Sequence, residues 1–140
     1  MRRWLGLIVV LCAVAAHADD SNAVKYRKHT MTAVGGHMKA AVQIIKGEVD
    51  HPADLPVHAA SLAALSGIAP GLFGDDAKGG DALPKIWEEP AAFKERLETF
   101  QTAAQAFDAA VKGGDGARIR AALGDLGQAC KGCHDHFKKE

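Results

Sequence analysis

The chain has 140 residues, 48% of them hydrophobic and 24% charged, enough for one domain with a modest core. Its 17 basic and 17 acidic residues cancel, which argues against a nucleic-acid binder with its basic stripe or patch. Alanine is abundant, and no stretch shows the alternation or the Val, Ile, Thr and aromatic density of a strand, so the predicted fold class is all-α.

The first residues read as a leader. Met1-Arg2-Arg3 is a short basic start, Leu5 to Ala16 an apolar run, and Ala16-His17-Ala18 the small-x-small pattern of a cleavage site. The run falls short of the roughly 20 apolar residues needed to span a bilayer. Residues 1–18 are therefore expected to be a cleaved signal peptide, and 19–140 an exported domain that does not span the membrane. Cys12 follows Leu11 rather than a small residue, so it leaves with the leader instead of carrying a lipid. Loss of Arg2 and Arg3 turns the charge balance slightly acidic. Two cysteines remain, Cys130 and Cys133, in a compartment that permits disulfides.

Four helical stretches follow. The first, from about Ser21 to Lys46, places Val24, Arg27, Met31, Val34, Met38, Val42 and Ile45 at steps of three and four, on one face. Gly47 suits its C-terminal end. The second, from about Ala53 to Ser66, presents Leu55, Ala59, Leu62 and Leu65 on one side, and Gly67 follows it. A long Gly- and Pro-bearing connection, 68–89, comes next, with Ile86 and Trp87 as its anchors in the core.

The third stretch opens at Pro90, a residue suited to a first helical turn. Phe93, Leu97, Phe100, Ala104, Phe107 and Val111 then alternate by four and three, the seam of a helix packed nearly antiparallel in a bundle. Gly113-Gly114 breaks it and Asp115 can cap the fourth, which carries Ile119, Leu123, Leu126, Cys130, Cys133 and Phe137 in the same rhythm. An antiparallel up-down-up-down four-helix bundle is the expected architecture.

Cys130-Lys131-Gly132-Cys133-His134 is the pattern of covalent haem attachment. Two thiols three residues apart on a helix can reach both vinyl groups of one porphyrin, and the next residue can ligate the iron. Gly132 keeps the backbone slim beside the ring. The other readings fit less well. A thioredoxin-like redox pair belongs beside a βαβ unit, a zinc site needs four ligands, and a disulfide leaves the histidine unexplained. One motif means one haem c per chain, held inside the bundle, with His134 as proximal ligand.

The distal face should then meet the core stripe of another helix. In the first helix, Arg27 is the charged member of an apolar face and needs a partner, for which a haem propionate serves well; the other reading is that it lies at the edge and snorkels to water. Met31, one turn on, is either the sixth iron ligand or a space-filling thioether. Met38 reads as core. His29 and His37 read as solvent-facing, and among His51, His58 and His136 no pair makes a convincing second metal site.

These residues resemble the cytochrome c′ family, including its low-spin relatives of the cytochrome c-556 type. The likeness runs through Val24-Lys25-Tyr26-Arg27 with Met31 a turn later, Lys46-Gly47, Pro84-Lys85-Ile86-Trp87, and the attachment motif near the C-terminus. It implies a four-helix bundle around the haem, homodimers paired through the first two helices, a propionate-binding arginine at Arg27, a distal residue at Met31 and the family's basic residue at Lys138. Five-coordinate members carry a bulky apolar distal residue and admit NO and CO; in c-556-like members a methionine closes the sixth site. Met31 and the run Gly35-Gly36-His37-Met38 look more like the second group.

The leading expectation is thus a periplasmic electron carrier, not an enzyme, with His134 and Met31 as axial ligands and unidentified redox partner proteins. The alternative is a five-coordinate cytochrome c′ that binds NO or CO, with Met31 as a distal gate that does not coordinate.

Overall fold

The computed structural model describes residues 20–140, so the expected signal peptide, 1–18, lies outside the described residues. Five α-helices follow one another: α1 Asn22–Ile45, α2 Leu55–Ile68, the single-turn α3 Lys85–Glu88, α4 Pro90–Gly113 and α5 Gly116–Phe137. The long four form the bundle expected from the sequence. Helix α1 packs on α2, α2 on α4, and α4 on α5.

The helix ends follow from the residues that occupy them. Ser21 Oγ accepts from the Val24 N–H at 3.1 Å and so satisfies one of the free donors that every helix start exposes. At the far end of α1, Gly47 takes the left-handed φ of 71° while the Glu48 N–H reaches back to the Gln43 carbonyl, a glycine-terminated helix end. Gly114 does the same after α4, at φ 74°. Asp115 then caps α5, its Oδ1 accepting from the N–H groups of Ala117 and Arg118.

The seam of α4 is the centre of the core. All six residues expected on it are buried, Ala104 and Phe107 completely. Phe73, Phe93 and Phe137 run edge-to-face across this region at centroid spacings of 4.7 and 5.1 Å, joining the connection, α4 and α5. Each such pair adds about 0.5–1.5 kcal/mol beyond the area it buries.

Helix α2 departs from expectation. Gly67 does not end it; the chain stays helical to Ile68 and continues as a 3-10 turn, Ala69–Leu72. Ala69 and Leu72 are buried, so two more core contacts reward the extension, and Gln101 Nε2 donates to the Ser66 carbonyl from α4. Gly67 itself is exposed, with open space where a Cβ would stand, so a helical glycine here carries only its usual modest cost. The apolar stretch Pro52–Leu72 is long and apolar enough by composition to cross a membrane, and in this bundle it packs between α1 and α4.

The connection is more ordered than a loop of its composition suggests. Ile86 is buried, and half-buried Trp87 donates its Nε1 to the Phe73 carbonyl at 3.0 Å. The C-terminal residues stitch it down: Leu83 N donates to the Phe137 carbonyl, Lys139 N to the Asp81 carbonyl, and Ala82 and Lys138 form an isolated antiparallel bridge.

Candidate functional site

Cys130, Cys133 and His134 lie in the last two turns of α5. The spacing of three brings both cysteines to one side of the helix, and both thiols pack half-buried against the core. His134, the next residue, is the most solvent-exposed of the three and is partly shielded by its packed side. Burial first, and then the Lys138 charge, hold its imidazole below its ordinary range, with Asp135 opposing. The neutral ring is the form that binds a metal. Lys131 pairs with Asp135 on the outer face of the same turn.

Cys130 and Cys133 are not joined to each other by a disulfide. Burial pushes both up, Cys133 to about 11, with a smaller opposing effect from Arg96 on α4. A redox Cys-x-x-Cys pair depends on the opposite shift, toward the thiolate. A structural zinc site also lacks its ligands, because no three His, Cys, Asp or Glu residues gather to hold a metal ion among the described residues. Gly132 faces Arg96: a Cβ built there would stand 3.6 Å from Arg96 Nη1, ordinary contact. Arg96 was invisible as a neighbour of this motif because it lies more than thirty positions upstream on the polar flank of the α4 seam.

The packing of α1 against α5 differs from that of the other helix pairs. In an up-down-up-down bundle the first and last helices are neighbours, yet α1 and α5 hardly touch, whereas every other adjacent pair packs closely. They come together at Gly127, where a Cβ would lie 3.8 Å from Met38 Cε. Met31 and Met38 on α1, and Ile119, Leu123, Cys130 and Cys133 on α5, are left half-buried at the margin of a core that is otherwise closed. Two thiols, a following histidine and an under-packed apolar seam between the helices that carry the candidate ligands are what a covalently attached haem requires.

Arg27 is 4% exposed, so it does not snorkel to water. Its Nη1 donates to the Ala77 carbonyl and its Nη2 to the Gly79 carbonyl at 2.7 Å, and its guanidinium stands over the Phe73 ring. Burial pulls its pKa below the ordinary value, with Asp20 and Asp81 opposing. The partner that the sequence demanded is thus found in the connection; the guanidinium has five N–H donors, and those not used on these carbonyls remain for an anionic group. Gly80 sits against it, with a left-handed φ of 60° and little room for a Cβ, which would meet Val24 Cγ1 at 3.0 Å.

Two expectations about α1 change. His29 is exposed as expected, but His37 is half-buried and meets His58 of α2. Thr30 and Ala41 join the buried face beside the larger apolar residues, Thr30 returning its hydroxyl to the Tyr26 carbonyl.

Residues 22–138 match the protein family described as Cytochrome C′. A cytochrome c′ of Alcaligenes xylosoxydans xylosoxydans is 36% identical over 124 residues, covering 88% of this chain and 98% of that protein. Two solved structures of cytochrome c prime from Alcaligenes xylosoxidans share the fold. One is a nitric oxide complex of a mutant form, with TM-score 0.78 and 36% identity over 84% of this chain and 94% of that one. The other is a carbon monoxide-bound variant, with TM-score 0.79 and 36% identity over 85% and 95%.

Proposed function

The chain belongs to the cytochrome c′ family and its cofactor is one covalently attached haem c, and from that premise we propose that it is an exported gas-binding haem protein with five-coordinate iron. Cys130 and Cys133 would form the two thioethers and His134 the proximal bond. Met31 would stand on the distal side without coordinating, and the free donors of Arg27 would receive a propionate. The haem supplies an iron that binds a diatomic gas such as NO or CO. The protein's residues fix its attachment, keep water from its faces and restrict what reaches it. It binds rather than turns over a substrate.

The observation that carries this reading is the under-packed seam between α1 and α5, which sets the candidate proximal helix apart from the helix bearing Met31. The relatives bound to NO and CO support the open-iron form over the His134/Met31 electron carrier that the sequence alone favoured. Met31 is half-buried and packs on the core, as a space-filling distal residue would. Export to a periplasm belongs to the same reading and rests on the leader residues Met1 to Ala18. So does pairing into a homodimer through α1 and α2: among the described residues, the large exposed apolar side chains Tyr26, Val49, Val57 and Ile68 all lie on these helices or in the turn between them.

The test is the absorption spectrum of the haem-loaded protein, oxidised and reduced, with CO then added to the reduced form. A broad high-spin spectrum that shifts with CO supports the proposal. Sharp low-spin bands that ignore CO overturn it and restore Met31 as the sixth ligand.

A further inference from the structure

His37 of α1 and His58 of α2 meet Nδ1 to Nδ1 at 2.9 Å, their ring centroids 5.2 Å apart and their planes inclined by 56°. Neither belongs to the haem attachment motif, and both are half-buried between two packed helices. Two nitrogen bases this close share one hydrogen: one ring donates and the other accepts. Each is held by its own helix, so the pair is brought together by the fold rather than by two flexible side chains searching for each other.

The geometry points to a bis-histidine site for a divalent transition-metal ion, with Nδ1 of His37 and Nδ1 of His58 as the two protein ligands and solvent filling the rest of the coordination sphere. Imidazole nitrogens suit copper, nickel and zinc. At metal–nitrogen bonds of about 2.0–2.1 Å, two nitrogens bound at a right angle lie about 2.9 Å apart, and a tetrahedral pair about 3.3 Å apart. The observed 2.9 Å is the spacing of the hydrogen bond between the rings, and it lies within a few tenths of an ångström of both values, so either geometry is reached by a small movement. On binding, the shared hydrogen passes through solvent to the outer Nε2 of its ring, and a small swing of both rings turns their Nδ1 lone pairs to one point. Both imidazoles then bind neutral and no charge is lost from the protein. No third His, Cys, Asp or Glu joins the pair among the described residues, so the exposed edges of the two rings leave the remaining positions to water.

The experiment uses the haem-loaded, untagged protein, titrated calorimetrically with Ni²⁺, which is redox-inert toward the haem. The expected result is one Ni²⁺ per chain, bound at least tenfold more weakly by His37→Ala and by His58→Ala, with the double variant no weaker than either single one. His51→Ala, which alters an exposed loop histidine, should bind as the unaltered protein does. If alanine loosens the α1–α2 contact, seen as a loss of helical circular dichroism, His37→Gln and His58→Gln keep the bulk and must show the same loss of affinity. No uptake by the unaltered protein, or unchanged uptake by the double variant, overturns the proposal.

Discussion

The guanidinium of Arg27 lies 5.3 Å from the centre of the Phe73 ring, joining the first helix to the connection that follows the second. Phe73 in turn stacks edge-on against Phe93 and accepts from Trp87 through its carbonyl. One arginine therefore stabilises the arrangement of three separate segments.

Arg27→Ala removes that cation–π contact and leaves the Ala77 and Gly79 carbonyls without their donors. A hydrogen bond to a charged group contributes about 1.5–3 kcal/mol, and an exposed-to-buried cation–π contact about 0.5–2 kcal/mol. The expected destabilisation is about 2–4 kcal/mol, read as a lower denaturation midpoint in guanidinium chloride. Arg27→Lys should recover only part of it, because a single ammonium cannot hold both carbonyls in the same fork. A loss below about 0.5 kcal/mol, the range of an ordinary surface change, would contradict the structural role described.

Gly113 and Gly114 make a paired test. Gly113 is the last residue of α4, with open space around it and no left-handed φ, whereas Gly114 sits at φ 74°. Gly113→Ala should stabilise the protein by about 0.5–1 kcal/mol through the higher helix propensity of alanine. Gly114→Ala should destabilise it by about 1 kcal/mol, because a Cβ in the left-handed region is strained. Thermal melts of the two variants should move in opposite directions, and a common direction would show the helix end to be placed one residue out.

Met31→Ala tests the distal assignment under the open-iron reading. The spin state should stay high, and the affinity of the reduced protein for CO should rise by roughly tenfold or more, equivalent to about 1.4 kcal/mol of steric obstruction removed. A low-spin parent that becomes high-spin in this variant would instead mark Met31 as an iron ligand.

Preparing the chain without its cofactor tests the seam between α1 and α5. These helices meet only narrowly, beside Gly127 and Met38, so without a haem they have little to hold them together. Hydrogen exchange should quicken first in the facing turns of α1 and α5, while α2 and α4, which pack directly, keep their protection. Uniform loss of protection along all four helices would mean that the fold depends on the haem as a whole rather than at one wall.

The fold was legible in the sequence where periodicity and side-chain size agree. The α4 seam was correct at every position because Phe93, Leu97, Phe100, Phe107 and Val111 are large, apolar and regularly spaced. Small and polar members of the core escaped it: Ala41 is completely buried but is one alanine among many, and Ser66 is buried because its hydroxyl bonds the Ala63 carbonyl within its own helix. The second helix runs past its expected end at about Ser66 because Ala69 and Leu72, further along, are buried in the core.

At the site, Cys130, Cys133 and His134 are adjacent in the chain, so their chemistry could be read directly from their spacing. What lies across the fold could not. The carbonyls that receive Arg27 are some fifty positions away, and the partner of His37 is twenty-one positions away on another helix. No periodicity on a single helix reports such a meeting; it depends on how α1 and α2 are rotated against each other.

The loose wall between α1 and α5 also bears on how this chain can vary. Where two helices interlock, as α2 and α4 do, an enlarged side chain on one can be matched by a reduced one opposite, and substitutions should arise in compensating pairs. Met31 and Leu123 stand on the helices that do not interlock. With the haem seated as proposed, a change in volume there would meet the fixed outline of a porphyrin, which cannot mutate in reply. Descendants of this sequence should therefore drift in concert across α2 and α4, and one position at a time along the faces of α1 and α5.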